Sequence, residues 1–177
     1  FYEPTESEEA WSAGISYGYG LHLKINWDVP RTIQVVYADS NSPAANNNIK
    51  RGAKIIAVDG LNISTMNANA LFDALYPPQI NAVHEFEIQD AGANNTRKVI
   101  LESASLPTEA VSIAKAIDHN GTKVGYVQFN TFIPDAQDQW VTAINSLKNA
   151  GVSDLVVDMR YNGGGYISIA AQVGYMI

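Results

Sequence analysis

Two glycine clusters carry the residues best suited to chemistry. Gly18-Tyr19-Gly20-Leu21 stands directly before an alternating segment, and Tyr161-Asn162-Gly163-Gly164-Gly165 stands between an apolar run and a helical pattern. Each can bend the backbone so that successive N–H groups converge on one point and hold an anion. At the first cluster the anion would be a peptide's terminal carboxylate. The peptide would lie along Gly18, Tyr19, Gly20, Leu21, His22 and Leu23 by strand addition, and a helix bearing Leu71 and Leu75 would wall a pocket for its last side chain. A plain glycine-rich turn is the competing reading. At the second cluster, N–H groups beside a helix start could hold a phosphate or a developing oxyanion. A dinucleotide fingerprint fits poorly, because Ser168 fills the third glycine place.

Other chemistry is thinly represented. The chain has no cysteine, so it offers no disulfide, thiol nucleophile or thiolate metal site. His22, His84 and His119 share no metal-ligand spacing and no Gly-x-Ser-x-Gly elbow occurs, so neither a metal nor a cofactor is expected. His84 lies on the strand face of Phe86 and Ile88, which suits a partly buried histidine, and His119 falls in a turn. His22 could touch a bound peptide. Asp158 and Arg160 flank the second glycine cluster and read as an ion pair holding the strand end rather than as catalytic groups. A net charge of -7 disfavours a nucleic-acid partner. No apolar run is long enough for a transmembrane segment. The opening Phe1-Tyr2-Glu3-Pro4 has neither Met nor the features of a signal peptide, so the chain is expected to be a piece of a longer protein.

The elements that must position these clusters fall into two halves. After an acidic lead over residues 1–13 (Glu3, Glu6, Glu8, Glu9), Leu21, Leu23 and Ile25 alternate with polar residues as a half-buried strand. Thr32 to Ala38 is a second strand, and Lys54 to Val58 a third, closed by Asp59-Gly60. Ala68, Leu71, Phe72 and Leu75 make one helix face, with Thr65 or Asn67 as cap and Pro77-Pro78 as stop. Phe86 with Ile88 and Val99 with Leu101 mark two more strands. Leu106-Pro107 is the predicted joint between a domain at 14–106 and another at 107–177. Beyond it, Val111 to Ile117 and Lys123 to Phe129 flank Asn120-Gly121, a tight hairpin signal. Pro134 opens a helix with the stripe Ala136, Trp140, Ala143, Ile144 and Leu147, which Gly151 ends. Leu155-Val156-Val157 reads as a strand buried in a largely parallel sheet. Tyr166, Ile169, Ala170, Val173 and Met176 or Ile177 restore helical spacing. The fold class is therefore α+β: a β-rich first domain with one or two helices, then an incomplete strand-helix-strand-helix α/β layer.

The order of parts in the first domain resembles a PDZ domain. The match runs from Gly-Tyr-Gly-Leu through Ser42-Pro43-Ala44-Ala45 and Ile49-Lys50-Arg51-Gly52 to Ile55 through Gly60 and the helix near Leu71, about residues 14 to 104. Asn48 and Ala53 depart from the bacterial-protease type, which usually has Gly and Asp there. In the second domain, Lys123-Val124-Gly125-Tyr126-Val127, Phe132 and Leu155 through Gly165 resemble the carboxy-terminal processing, or tail-specific, serine peptidases. Gly163 fills a place where that family often has Pro.

The resemblance implies a PDZ domain that binds unstructured protein C-termini, and a Gly164 or Gly165 N–H that helps form the oxyanion hole. It also implies a serine nucleophile, paired with Lys or His, beyond residue 177, so these residues alone are expected to be inactive. A periplasmic or extracellular bacterial location follows, with any membrane anchor outside this chain. A truncated core would be prone to self-association. The alternative is a non-catalytic peptide- or small-ligand-binding protein on the same scaffold.

Overall fold

The computed structural model describes residues 13–177, so the acidic lead at Glu3, Glu6, Glu8 and Glu9 lies outside the described residues. The chain is α+β, as its patterning predicts, with eleven strands and four helices among the described residues. It forms two compact units, one of residues 16–106 and one of residues 107–177 together with residues 13–15.

In the 16–106 unit, β1 (Ile15–Gly18) pairs with β8 (Ala104–Pro107). A larger sheet runs in the order β2 (Leu21–Asn26), β3 (Thr32–Ala38), β4 (Lys54–Val58), β6 (Val83–Gln89), β7 (Arg97–Glu102), with β5 (Leu61–Asn62) paired to β4. Period-two alternation sends Ile33, Val35, Ile55, Phe86, Ile88 and Leu101 to one fully buried core. Burying each such side chain contributes about 1.5–3 kcal/mol. Helix α1 (Pro43–Asn46) is capped by Ser42, whose side chain accepts the Ala45 N–H. Helix α2 (Ala68–Leu75) is capped by Asn67, which accepts from Asn69 and Ala70. Asp59 and Gly60 both have positive φ, as the tight turn after β4 requires.

One expectation for α2 needs correcting. Its buried face is Leu71, Ala74 and Leu75, whereas Phe72 is 51% exposed and Ala68 is exposed too. The i, i+3, i+4, i+7 series fits two neighbouring faces of so short a helix. Phe72 leans to the outer one, against the rings of Trp27 and Tyr76 with centroids 6.5 and 5.2 Å away.

In the other unit, β9 (Val111–His119) and β10 (Thr122–Phe129) form an antiparallel hairpin through Asn120 and Gly121, both at positive φ. Helix α3 (Ala136–Asn149) then crosses over to β11 (Asp154–Asp158), which pairs parallel to β10. Helix α4 (Ile167–Tyr175) follows the glycine turn. Val127, Phe129, Ile133, Ala136 and Trp140 form the buried centre. Gly125 lets the layers meet, since a Cβ there would lie 3.0 Å from side chains of Leu147 and Val152.

β11 is less buried than its apolar run predicts: Leu155 is 36% and Val156 49% exposed. It is an end strand of the β11-β10-β9 sheet, with a neighbour on one edge only among the described residues. On α4, Ile169 and Val173 are buried, whereas Tyr166 at its N-cap and Ile177 beyond its end are exposed.

Candidate functional site

The first glycine turn joins β1 to β2. Gly18 and Gly20 take φ of 143° and 72°. The Tyr19 carbonyl accepts the Ala44 N–H at 3.0 Å, and the Gly20 carbonyl accepts the Asp39 N–H at 2.8 Å. A Cβ on Gly20 would lie 2.2 Å from the Ser42 Cβ, so the turn fits closely over the start of α1. β2 is an end strand of its sheet, leaving an edge where an extended peptide could add.

The structure spreads the eight residues of the predicted peptide site unevenly. Tyr19 is core: its ring packs edge-on to Phe86 with centroids 5.3 Å apart. Burial, with some help from the Asp59 charge, pushes its phenol up to about 12. Leu71 and Leu75 are 0% and 3% exposed, so the pocket expected beside them is filled by the protein itself. Leu21 and Leu23 are half-buried against the same core. Gly18 and Gly20 are buried with Tyr19, so the carboxylate nest expected from the glycine spacing is covered by the protein, and what faces outward is His22 on the β2 edge.

The His22 Nε2 lies 2.8 Å from Asp39 Oδ1, and its ring stacks on Tyr37 at 3.9 Å. Sequence reasoning missed both partners, because Tyr37 comes opposite His22 through a register shift between His22 and Leu23 that alternation does not reveal. His84 Nδ1 likewise meets Asp59 Oδ2 at 2.6 Å. Burial raises the Asp59 pKa, but His84 and the Glu85 N–H outweigh it and leave the carboxyl below its usual value. No group of His, Asp and Glu able to hold a metal ion occurs among the described residues.

The second turn is more heavily tied. Asp158, buried at the end of β11, accepts from Arg160 Nε at 3.0 and 3.1 Å, Nη2 at 2.6 Å and the Arg160 N–H at 3.0 Å. Tyr126 also donates its hydroxyl, at 2.5 Å. Hydrogen bonds from Arg160 and then Tyr126 hold the carboxyl far below the usual carboxylate range. The Asp158–Arg160 pair is thus a strand-end clasp, and Tyr126 is a member that sequence reading passed over. Asn162 Oδ1 accepts the Gly164 N–H at 2.8 Å, and its Nδ2 donates to the Phe129 carbonyl at 3.3 Å. The Gly163 N–H donates to the Asn130 carbonyl, and Asn130 is itself held by Gln128 and Ser112.

Gly165 sits where the turn touches Phe132. Phe132 N–H donates to the Gly164 carbonyl at 2.9 Å, and Tyr166 N–H to the Phe132 carbonyl at 2.8 Å. A Cβ on Gly165 would lie 2.4 Å from the Phe132 carbonyl oxygen. Of the two donors suggested by sequence, Gly164 is already engaged by Asn162. Among the described residues the Gly165 N–H has no hydrogen-bond partner, and it stands directly ahead of α4, where a helix start favours negative charge.

The profile of peptidase family S41 matches residues 123–177, which hold β10, α3, β11, the second turn and α4. Over this segment the chain is similar to peptidase family S41. The chain is similar to a carboxyl-terminal-processing protease of Picosynechococcus sp., 23% identical over 97% of this chain and 41% of that protein. It is also similar to the carboxy-terminal processing protease CtpB of Bacillus subtilis, 25% identical over 80% of this chain and 29% of that protein. The solved photosystem II D1 C-terminal processing protease shares the fold, with a TM-score of 0.62 at 23% identity over 93% of this chain and 45% of that one. The chain spans about three to four tenths of the length of these relatives. The second turn lies inside the S41 segment; the first lies outside it, within the part aligned to the longer relatives. No helix among the described residues is long and apolar enough to cross a membrane.

Proposed function

We propose that the chain is part of a C-terminal processing serine peptidase. The 16–106 unit acts as a PDZ-type module that captures an unstructured protein C-terminus, and residues 107–177 supply one wall of the proteolytic site. The observation that supports this reading is the Gly165 N–H, without a hydrogen-bond partner among the described residues and fixed by the Phe132 bridge inside the segment matched to S41. In acyl transfer a serine oxygen attacks the scissile carbonyl, and the developing oxyanion needs a donor already in place. Such a donor is worth about a hundredfold to a thousandfold in kcat. The nucleophile and its Lys or His partner come from residues outside these 177, so this chain alone turns over no peptide bond. The same reading places the protein in a periplasm or outside the cell, and the exposed Ile113, Ile117 and Val156 favour self-association of the isolated chain.

Two measurements test it. The longer gene product should cleave an unstructured protein with a free C-terminus, and it should lose that activity when the serine it supplies is replaced. No cleavage would leave only a binding protein. Calorimetry on the 177-residue chain should show a free-acid peptide binding about tenfold tighter than its amide twin. Equal affinities would reduce the first turn to a loop.

A further inference from the structure

The 16–106 unit contains a cavity that neither glycine turn uses. β3 and β4 pair only at Ile33 with Ile55 and Gln34 with Lys54. In the β4–β6 ladder Ile55 faces Ile88 and Ala57 faces Glu87, so Ile56 is the extra residue of a bulge. Bulges re-aim side chains and part neighbouring strands. Where the short β3–β4 pairing ends, beside this bulge, lies a cavity of about 340 Å³ between β3, β4 and β5, lined by Arg31, Gln34, Lys54, Ile56, Asn62 and Ile63 among others. That is the lower end of the range for small-molecule sites.

Its charge is one-sided. Arg31 donates through Nη1 to the carbonyls of Ile63 at 2.9 Å and Met66 at 2.6 Å, which hold the guanidinium in place but leave its charge uncompensated. Neither Arg31 nor Lys54 forms an ion pair among the described residues, and no carboxylate lines the cavity. A cleft by Lys50, Arg51 and Arg97 is also cationic, but Asp90 already answers Arg97 there with two oxygens. In a chain of net charge -7, two cations with no carboxylate partner among the described residues, beside the half-buried Ile56, make an unusual combination.

We propose that this cavity binds a small monocarboxylate with a short aliphatic body, the carboxylate between Arg31 and Lys54 and the hydrocarbon against the half-buried Ile56. The site is independent of peptide capture at β2. The test is an amide-resolved NMR titration of the 177-residue chain with 4-methylpentanoate, 4-methylpentanamide and acetate. The branched acid should give saturable shifts confined to residues 31–34, 54–56 and 62–63. The amide should bind at least about threefold more weakly for want of the charge. Acetate, lacking the hydrocarbon, should not saturate. Lys54→Gln, on an exposed side chain, should weaken the acid by about threefold, and Ile56→Thr should weaken it with the acid-to-amide ratio kept. Non-saturating or scattered shifts, or equal binding of acid and amide, would overturn the proposal.

Discussion

The two glycine turns are tight for different reasons. At Gly20 the space a side chain would need is taken by another side chain, that of Ser42. At Gly165 it is taken by main chain, the carbonyl of Phe132. A side chain can be trimmed by mutation or turned aside, whereas the Phe132 carbonyl is fixed by its bond from Tyr166. The first turn is therefore a packing solution that a second substitution can relax. The second is set by backbone bonding, as suits a group that must present a donor without moving.

Gly165→Ala should have the largest effect. The added methyl meets backbone, and φ of 135° is outside the range alanine adopts. A loss of about 3 kcal/mol or more is expected, with faster amide exchange at Phe132 and Tyr166. Retention of both protected amides would break the contrast. Gly20→Ala should cost about 2 kcal/mol in urea unfolding, and Ser42→Gly in the same chain should recover about half, since glycine caps helices nearly as well as serine. No recovery would mean that the strain at Gly20 is conformational and not steric.

Asp158→Asn should cost about 1–3 kcal/mol, because it weakens charge-assisted bonds from Arg160 and Tyr126. The Asp158 carboxyl has a lower pKa folded than unfolded, so its contribution is fully present above about pH 4 and fades as the pH falls below it. Urea midpoints measured from pH 6 to pH 3 should fall less in the variant than in the parent. Parallel curves would place the acid sensitivity elsewhere. Gly163→Ala should be the mildest, within about 0.5 kcal/mol, as nothing lies within 4 Å of its Cβ position. A larger loss would show that the whole turn, and not only Gly165, needs glycine.

Much of this was readable in the residues. Strand and helix positions followed from alternation and stripes because the cores really are one-sided, as with Phe86 and Ile88. Asn120-Gly121 and Asp59-Gly60 announced their turns because few other residues accept positive φ. Periodicity failed where a neighbour decided the outcome. Phe72 satisfies the spacing of a buried stripe but finds aromatic partners outside it, and Leu155-Val156 satisfies the composition of a buried strand but lies at a sheet edge. Tyr19 fell on a loop by pattern, yet its ring reaches the core. At the second turn, sequence offered two equivalent glycines. Only the Asn162 side chain, bonding two residues ahead, distinguishes them. The cavity beside Ile56 had no signal at all, because a bulge is a count of residues on two paired strands.

The pairing of β1 with β8 brings together the two places where the chain enters and leaves the 16–106 unit. The other unit is correspondingly discontinuous: Thr108 N–H donates to the Gly14 carbonyl at 2.7 Å across the whole intervening domain. On a ribosome the 16–106 unit has every strand it needs once residue 106 has emerged. At about 5–20 residues per second, the remaining 71 residues take roughly 4–14 s more. The inserted unit can thus close first and hold Gly14 near the point where Thr108 will appear, turning a contact nearly a hundred residues long into a local one.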